Sequence, residues 1–137
     1  MIMKTKQVWA NLSVKDLERT HKFYTKLGFK PNGEFSKENE LVSFLVGQDE
    51  FVVHFFLEES LKPSMGGDIA DLENGNEVMF TLSADSKEEV DEWAEAVKKA
   101  GGTLFSKPQT IKGNKHWYGC GFADLDGHKW NVFYNGK

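Results

Sequence analysis

The side chains able to do chemistry are few and widely spaced. Among 137 residues there are four histidines, His21, His54, His116 and His128, and one cysteine, Cys120. A lone thiol excludes an internal disulfide and a zinc cluster built on cysteines. No HExxH, GxSxG or phosphate-loop glycine pattern is present, which removes the spacings that prepare a zinc protease, a serine hydrolase or a nucleotide cradle. His54 has the most suggestive surroundings, inside Phe51-Val52-Val53-His54-Phe55-Phe56-Leu57. An imidazole amid apolar neighbours reads either as a hydrogen-bonded core residue or as a polar contact or general base in a pocket. His116-Trp117-Tyr118 follows the turn Lys112-Gly113-Asn114-Lys115 and fits a lid or rim. His21 reads as a solvated helix residue and His128 as a structural residue after a turn. Cys120, between Gly119 and Gly121, has no basic sequence neighbour to lower its pKa and reads as a small strand residue. Its flanking glycines mark a bulge or a close backbone approach.

Two similar runs of elements position these groups. Residues 7–14 alternate with period two and read as a strand. Asp16 caps a helix carrying Leu17, Phe23, Tyr24 and Leu27 that stops at Gly28. Leu41 to Val46 and Phe51 to Leu57, separated by Gly47-Gln48-Asp49-Glu50, form a hairpin. Glu58 to Glu77 is polar and glycine-containing, a connection with room for a short helix. The plan then repeats. Val78 to Ala84 reads as a strand, and Ser86-Lys87-Glu88-Glu89 is a capping box. Val90, Trp93, Ala94 and Val97 make a helical stripe ending at Gly101. Strands around His116–Ala123 and His128–Asn135 flank the turn Asp124-Leu125-Asp126-Gly127.

Each run is a β-α-β-β-β unit with a one-sided sheet, so two must pack to bury a core. The fold class predicted is α+β in one domain of residues 1–137. Unit one covers about 6–57, a loop 58–76, and unit two about 77–136. Two units of this kind form a curved mixed sheet with helices outside and a concave cavity within.

Composition narrows the partners. Net charge is −4 and Arg19 is the only arginine, which speaks against a nucleic-acid reader. No apolar run reaches membrane-spanning length, and residues 1–6 contain no apolar leader core, so a cytoplasmic protein without membrane contact is expected. The 11 Phe, 4 Trp and 3 Tyr exceed what an ordinary core requires, and rings also line small-molecule cavities. Period two assigns them. Trp9, Asn11 and Ser13; Val52, His54 and Phe56; Met79, Thr81 and Ser83; and Asn131 with Phe133 share the cavity face. Val8, Leu12, Val53, Phe55, Val78, Phe80, Leu82, Trp130 and Val132 face the helices.

The stretch Asn11-Leu12-Ser13-Val14-Lys15-Asp16-Leu17-Glu18-Arg19, followed by Phe23-Tyr24 and Leu27-Gly28-Phe29, resembles the first unit of the vicinal oxygen chelate superfamily. That superfamily includes glyoxalase I (lactoylglutathione lyase), bleomycin and fosfomycin resistance proteins, and extradiol dioxygenases. Gly121-Phe122-Ala123-Asp124-Leu125-Asp126-Gly127-His128-Lys129-Trp130 resembles its C-terminal hairpin. The resemblance implies four metal-ligand positions, one on each of four strands. The first, a histidine seven residues before the aspartate that opens the first helix, falls on Trp9. The second falls on His54, the third on Met79, six before Asp85, and the fourth, a glutamate five after Asp126, on Asn131.

One good ligand in four does not hold a divalent ion. The expectation is therefore a metal-free protein without cofactor that binds a small, partly aromatic or cationic molecule, with bleomycin-type sequestration as its nearest relative. Its ligand-binding candidates are Trp9, Asn11, His54, Phe56, Met79, Thr81, Trp117, Asn131 and Phe133. Relatives also imply a homodimer. The alternative is a lyase or dioxygenase-like enzyme using one divalent metal ion, with His54 as the catalytic candidate.

Overall fold

The computed structural model describes residues 2–36 and 38–137. The chain divides into two compact units, Met1–Ile69 and Ala70–Lys137. In unit one, β1 (Trp9–Val14) leads into α1 (Leu17–Leu27), then β2 (Lys30–Pro31), β3 (Leu41–Val46), β4 (Phe51–Leu57) and α2 (Glu58–Met65). Its sheet has the order β1-β4-β3-β2, with β1 parallel to β4 and the remaining pairs antiparallel. Unit two runs β5 (Met79–Ser83), α3 (Lys87–Ala100), β6 (Thr103–Thr110), β7 (Tyr118–Ala123) and β8 (Lys129–Tyr134). Its sheet has the equivalent order β5-β8-β7-β6, again with one parallel pair, β5 and β8.

The expected β-α-β-β-β plan is therefore present twice, as two separately hydrogen-bonded four-stranded mixed sheets. No helix among the described residues is long and apolar enough to cross a membrane.

The helix boundaries follow from capping chemistry. Asp16 accepts a hydrogen bond from the Arg19 amide at 3.1 Å, and Ser86 accepts one from Glu89 at 3.0 Å, each satisfying an orphan donor of the first turn. The box at α3 closes one residue early, since the Glu89 carboxylate accepts from the Asp85 amide rather than from Ser86. Gly28 and Gly101 both end their helices at φ 93°, a left-handed conformation that disfavours any residue with a Cβ.

Packing follows the alternation. Leu17, Thr20, Phe23 and Tyr24 of α1 are buried, as are Val42, Phe44, Val53 and Phe55 on the strands beneath. Tyr24 stacks on Phe55 at 4.8 Å between ring centroids. Unit two builds its core from Val90, Ala94 and Val97 of α3 with Phe122, Trp130 and Val132. There Trp93, Phe122 and Trp130 form a near-parallel file, 6.3 Å between successive rings. Each fully buried aliphatic or aromatic side chain of this kind contributes about 1.5–3 kcal/mol.

Three local expectations are corrected. Val8 is 71% exposed and Val78 39% exposed rather than packed under helices, because the strands begin only at Trp9, two residues late, and at Met79, one residue late. His21 is half-buried and stacked on Phe35 at 4.8 Å, so it is not a freely solvated helix residue. His128 is buried, in keeping with a structural role, with Nδ1 3.5 Å from Glu77 Oε1.

Candidate functional site

Each sheet has one face packed on its long helix and one turned away from it, and the candidate residues lie on the second. In unit one the register sets Trp9 opposite Val52, Asn11 opposite His54, and Ser13 opposite Phe56. Strand β3 continues these rows with Leu45, Ser43 and Leu41. Trp9 is 52% exposed, and its ring meets the His54 ring edge-on at 6.4 Å. Phe56 flanks the same imidazole from its other side at 5.9 Å.

Trp9, His54 and Phe56 thus form a continuous aromatic row with Asn11 beside it. Burial lowers the pKa of His54 from its ordinary value, so the ring is neutral at pH 7. Its Nδ1 is buried and has no hydrogen-bond partner. Asn32 donates to Ser43 Oγ at 3.0 Å, extending a polar band across the row that holds His54.

In unit two the equivalent rows are Met79 with Lys129, Thr81 with Asn131, and Ser83 with Phe133. Asn131 Nδ2 lies 3.5 Å from Thr81 Oγ1, at the limit of a hydrogen bond. Trp117 packs edge-on against Phe133 at 5.6 Å and is 40% exposed, giving this face a second ring pair at its far end. Strand β7 presents Gly119, Gly121 and Ala123. A Cβ on Gly121 would stand 2.5 Å from the ring of Phe105, so glycine is what lets that ring lie flat on the sheet. Of the two expectations for these glycines the close approach is the one met, and the register shifts fall on the partner strand β6.

Two neighbouring groups on β7 are held by their surroundings. Burial, and secondarily the Asp91 carboxylate, push the Cys120 thiol up to about 11, which makes it an inert core residue. Tyr118 donates its hydroxyl to Asp91 at 2.7 Å and is pushed up to about 12, chiefly by that hydrogen bond.

The donor set does not fit a divalent metal. The two implied ligand positions of unit one are Trp9 and His54, which sit diagonally across the β1–β4 pair. Those of unit two, Met79 and Asn131, occupy the same diagonal of β5–β8. An indole has no lone pair to give, a thioether is soft, and a neutral amide lacks a carboxylate's charge. Shifting any of the four by one residue brings in only Val8, Ala10, Val53, Phe55, Val78, Phe80, Trp130 or Val132. No group of three or more His, Cys, Asp or Glu able to hold a metal occurs among the described residues.

Four participants were not anticipated: Asn32, Ser43, Phe105 and Lys129. Ser43 and Lys129 were accessible to period-two counting on strands already recognised. Asn32 and Phe105 sit on or beside strands that gave no clear alternation.

The paired β-α-β-β-β units, each with one free sheet face, define a class of protein. The model of the Glyoxalase/Bleomycin resistance protein/Dioxygenase superfamily matches residues 6–132, and the chain belongs to that superfamily. A hypothetical protein of S. aureus is 32% identical, with a TM-score of 0.82 over 96% of this chain and 95% of its own. Two further structures share the fold. Lactoylglutathione lyase of Agrobacterium tumefaciens is 19% identical with a TM-score of 0.68, covering 96% of each chain. A fosfomycin resistance protein of Listeria monocytogenes is 20% identical with a TM-score of 0.67, over 97% of this chain and 93% of its own. Among curated proteins none matches.

Proposed function

We propose that this chain is a cytoplasmic, homodimeric binding protein that holds a small, partly aromatic molecule on a sheet face turned away from its long helix, without a metal ion. Within the superfamily, bleomycin-type sequestration is a function of this kind. The observation that carries the reading is Trp9. Where metal-dependent relatives place their first ligand, this chain presents a half-exposed indole in an aromatic row with His54 and Phe56. Covering the exposed part of that indole removes on the order of 100 Å² of apolar surface from water, worth about 2–3 kcal/mol of affinity. Binding for sequestration needs no transition-state chemistry, so an unsuitable metal site costs it nothing. Of aromatic and cationic ligand character, these faces favour the aromatic, because the facing positions of β1, β3 and β4 carry no carboxylate.

Titrating bleomycin and a panel of aromatic amines, amides and acids into EDTA-treated protein, with tryptophan fluorescence as readout, tests this. A saturable change in the wild type that is lost in Trp9→Leu is the expected result. No response from any member of the panel overturns the reading. The unpartnered Nδ1 of His54 is the observation favouring the alternative, a lyase or dioxygenase-like enzyme with His54 on the metal. Elemental analysis, with an assay on the methylglyoxal–glutathione adduct, separates the two. Sedimentation velocity tests the dimer.

A further inference from the structure

Unit two contains a groove of about 350 Å³ at the start of β5, walled by Val78, Met79 and Phe105 and reached by Lys129. Val78 is 39%, Phe105 48% and Met79 55% exposed, an uncommon concentration of bare apolar surface on so short a stretch. Two charged side chains line the groove, Lys129 and Glu77. Lys129 Nζ stands 5.7 Å from the centroid of the Phe105 ring and donates a single hydrogen bond, 3.1 Å, to the Gly127 carbonyl. An ammonium has three N–H donors, so two are uncommitted. No described carboxylate pairs with it, and the rim residue Glu77 is directed at the buried His128. The other positions facing this way on β5, β7 and β8 are Thr81, Ser83, Gly119, Gly121, Ala123, Asn131 and Phe133, none charged.

We propose that this groove is a subsite for an acidic group: it takes an aryl carboxylate, the ring lying on Phe105 and Met79 and the carboxylate accepting from Lys129. An ammonium held against an aromatic wall gains most from an anion that replaces its lost water, and a charge-assisted hydrogen bond is about twice as strong as a neutral one. The volume lies at the low end for ligand pockets, which suits one or two fused rings. The proposal rests on the reading that these faces bind a small aromatic molecule, and it adds the sign of that molecule's charge.

The probes are 2-naphthoate, 2-naphthamide and 2-naphthylmethylammonium, measured by calorimetry on the full chain. Wild-type protein should bind the carboxylate about ten-fold more tightly than the amide, and the ammonium most weakly. Lys129→Met, which keeps the stem and removes the charge, should erase the carboxylate–amide difference. Lys129→Arg should keep it and shows that substitution here leaves the fold intact. Equal binding of acid and amide by the wild type, or an acid preference surviving in Lys129→Met, overturns the subsite. If the three probes bind equally, the subsite falls and the aromatic binding function stands. If none binds, both fall.

Discussion

Where β1 enters its sheet the residue is Trp9, and where β5 enters its own it is Met79; the diagonal partners are His54 and Asn131. Val52 in one unit is matched by Lys129 in the other, and Ser43 by Gly121. Only Ser13 with Ser83 and Phe56 with Phe133 keep one residue type among the facing positions of the four parallel-paired strands. The scaffold is far less divergent. Both long helices begin with an oxygen accepting from the third helical amide and end at glycine with φ 93°. Both sheets place one parallel pair at an edge. The comparison teaches that stops, caps and register are held by backbone requirements, whereas the free faces are not. One face became an uncharged aromatic row, the other a thioether, an amide and a single ammonium.

The largest expected contrast is between helix-packed and free rings. Trp130, 1% exposed, stacked on Phe122 and tilted against Phe80, should cost about 3–5 kcal/mol when changed to alanine. Trp9→Ala should cost under about 1 kcal/mol in urea unfolding, and weaken aromatic ligand binding at least ten-fold. Comparable stability losses would break the division of the aromatic residues into two populations.

Next come the helix stops. Neither Gly28 nor Gly101 has anything closer than ordinary van der Waals contact where a Cβ would sit, so alanine there meets only the backbone penalty. Each substitution should cost about 1–2 kcal/mol, and by similar amounts. Thermal unfolding that shows one neutral and the other severe would mean the two helix ends are not equivalent. The caps should follow the same pairing more weakly, with Asp16→Ala and Ser86→Ala losing about 1 kcal/mol each.

The smallest effect concerns pH. Burial holds His54 below its ordinary 6.5, so the unfolded chain takes up a proton at this residue before the folded one does. Between the lowered value and 6.5 the unfolded state binds more protons, and stability rises with pH. The contribution is complete above that window and is lost as pH falls through it. His54→Asn, which installs the residue of the equivalent unit-two position, should flatten this limb relative to wild type in denaturation series from pH 7 to 5. An unchanged slope would mean that His54 does not titrate with folding.

Much of the fold is legible in the chain itself. Asp16, Gly28, Ser86 and Gly101 gave both long helices to the residue, because caps and left-handed stops act within four positions of chain. The hairpin of β3 and β4 was equally clear from two apolar runs about a glycine turn. Strand β2 was invisible because two residues carry no period. Strand β6 was missed because Pro108 interrupts its alternation, and the pairing with β7 shifts register twice. Phe105 depends on that pairing, so its place over Gly121 could not be counted from the sequence. Asn32 was hidden for the same reason: its bond to Ser43 crosses eleven positions set by β2. Val8 and Val78 show that alternation predicts faces but not where a strand begins.

The most direct test of the central claim is ligand binding by metal-stripped protein. Tryptophan fluorescence is titrated with the panel of aromatic amines, amides and acids in EDTA, then again after dialysis into zinc, nickel or manganese. A saturable signal of the same affinity in every condition, lost in Trp9→Leu, is the predicted result. Binding or turnover that appears only with one metal ion per chain, and disappears in His54→Ala, would contradict it.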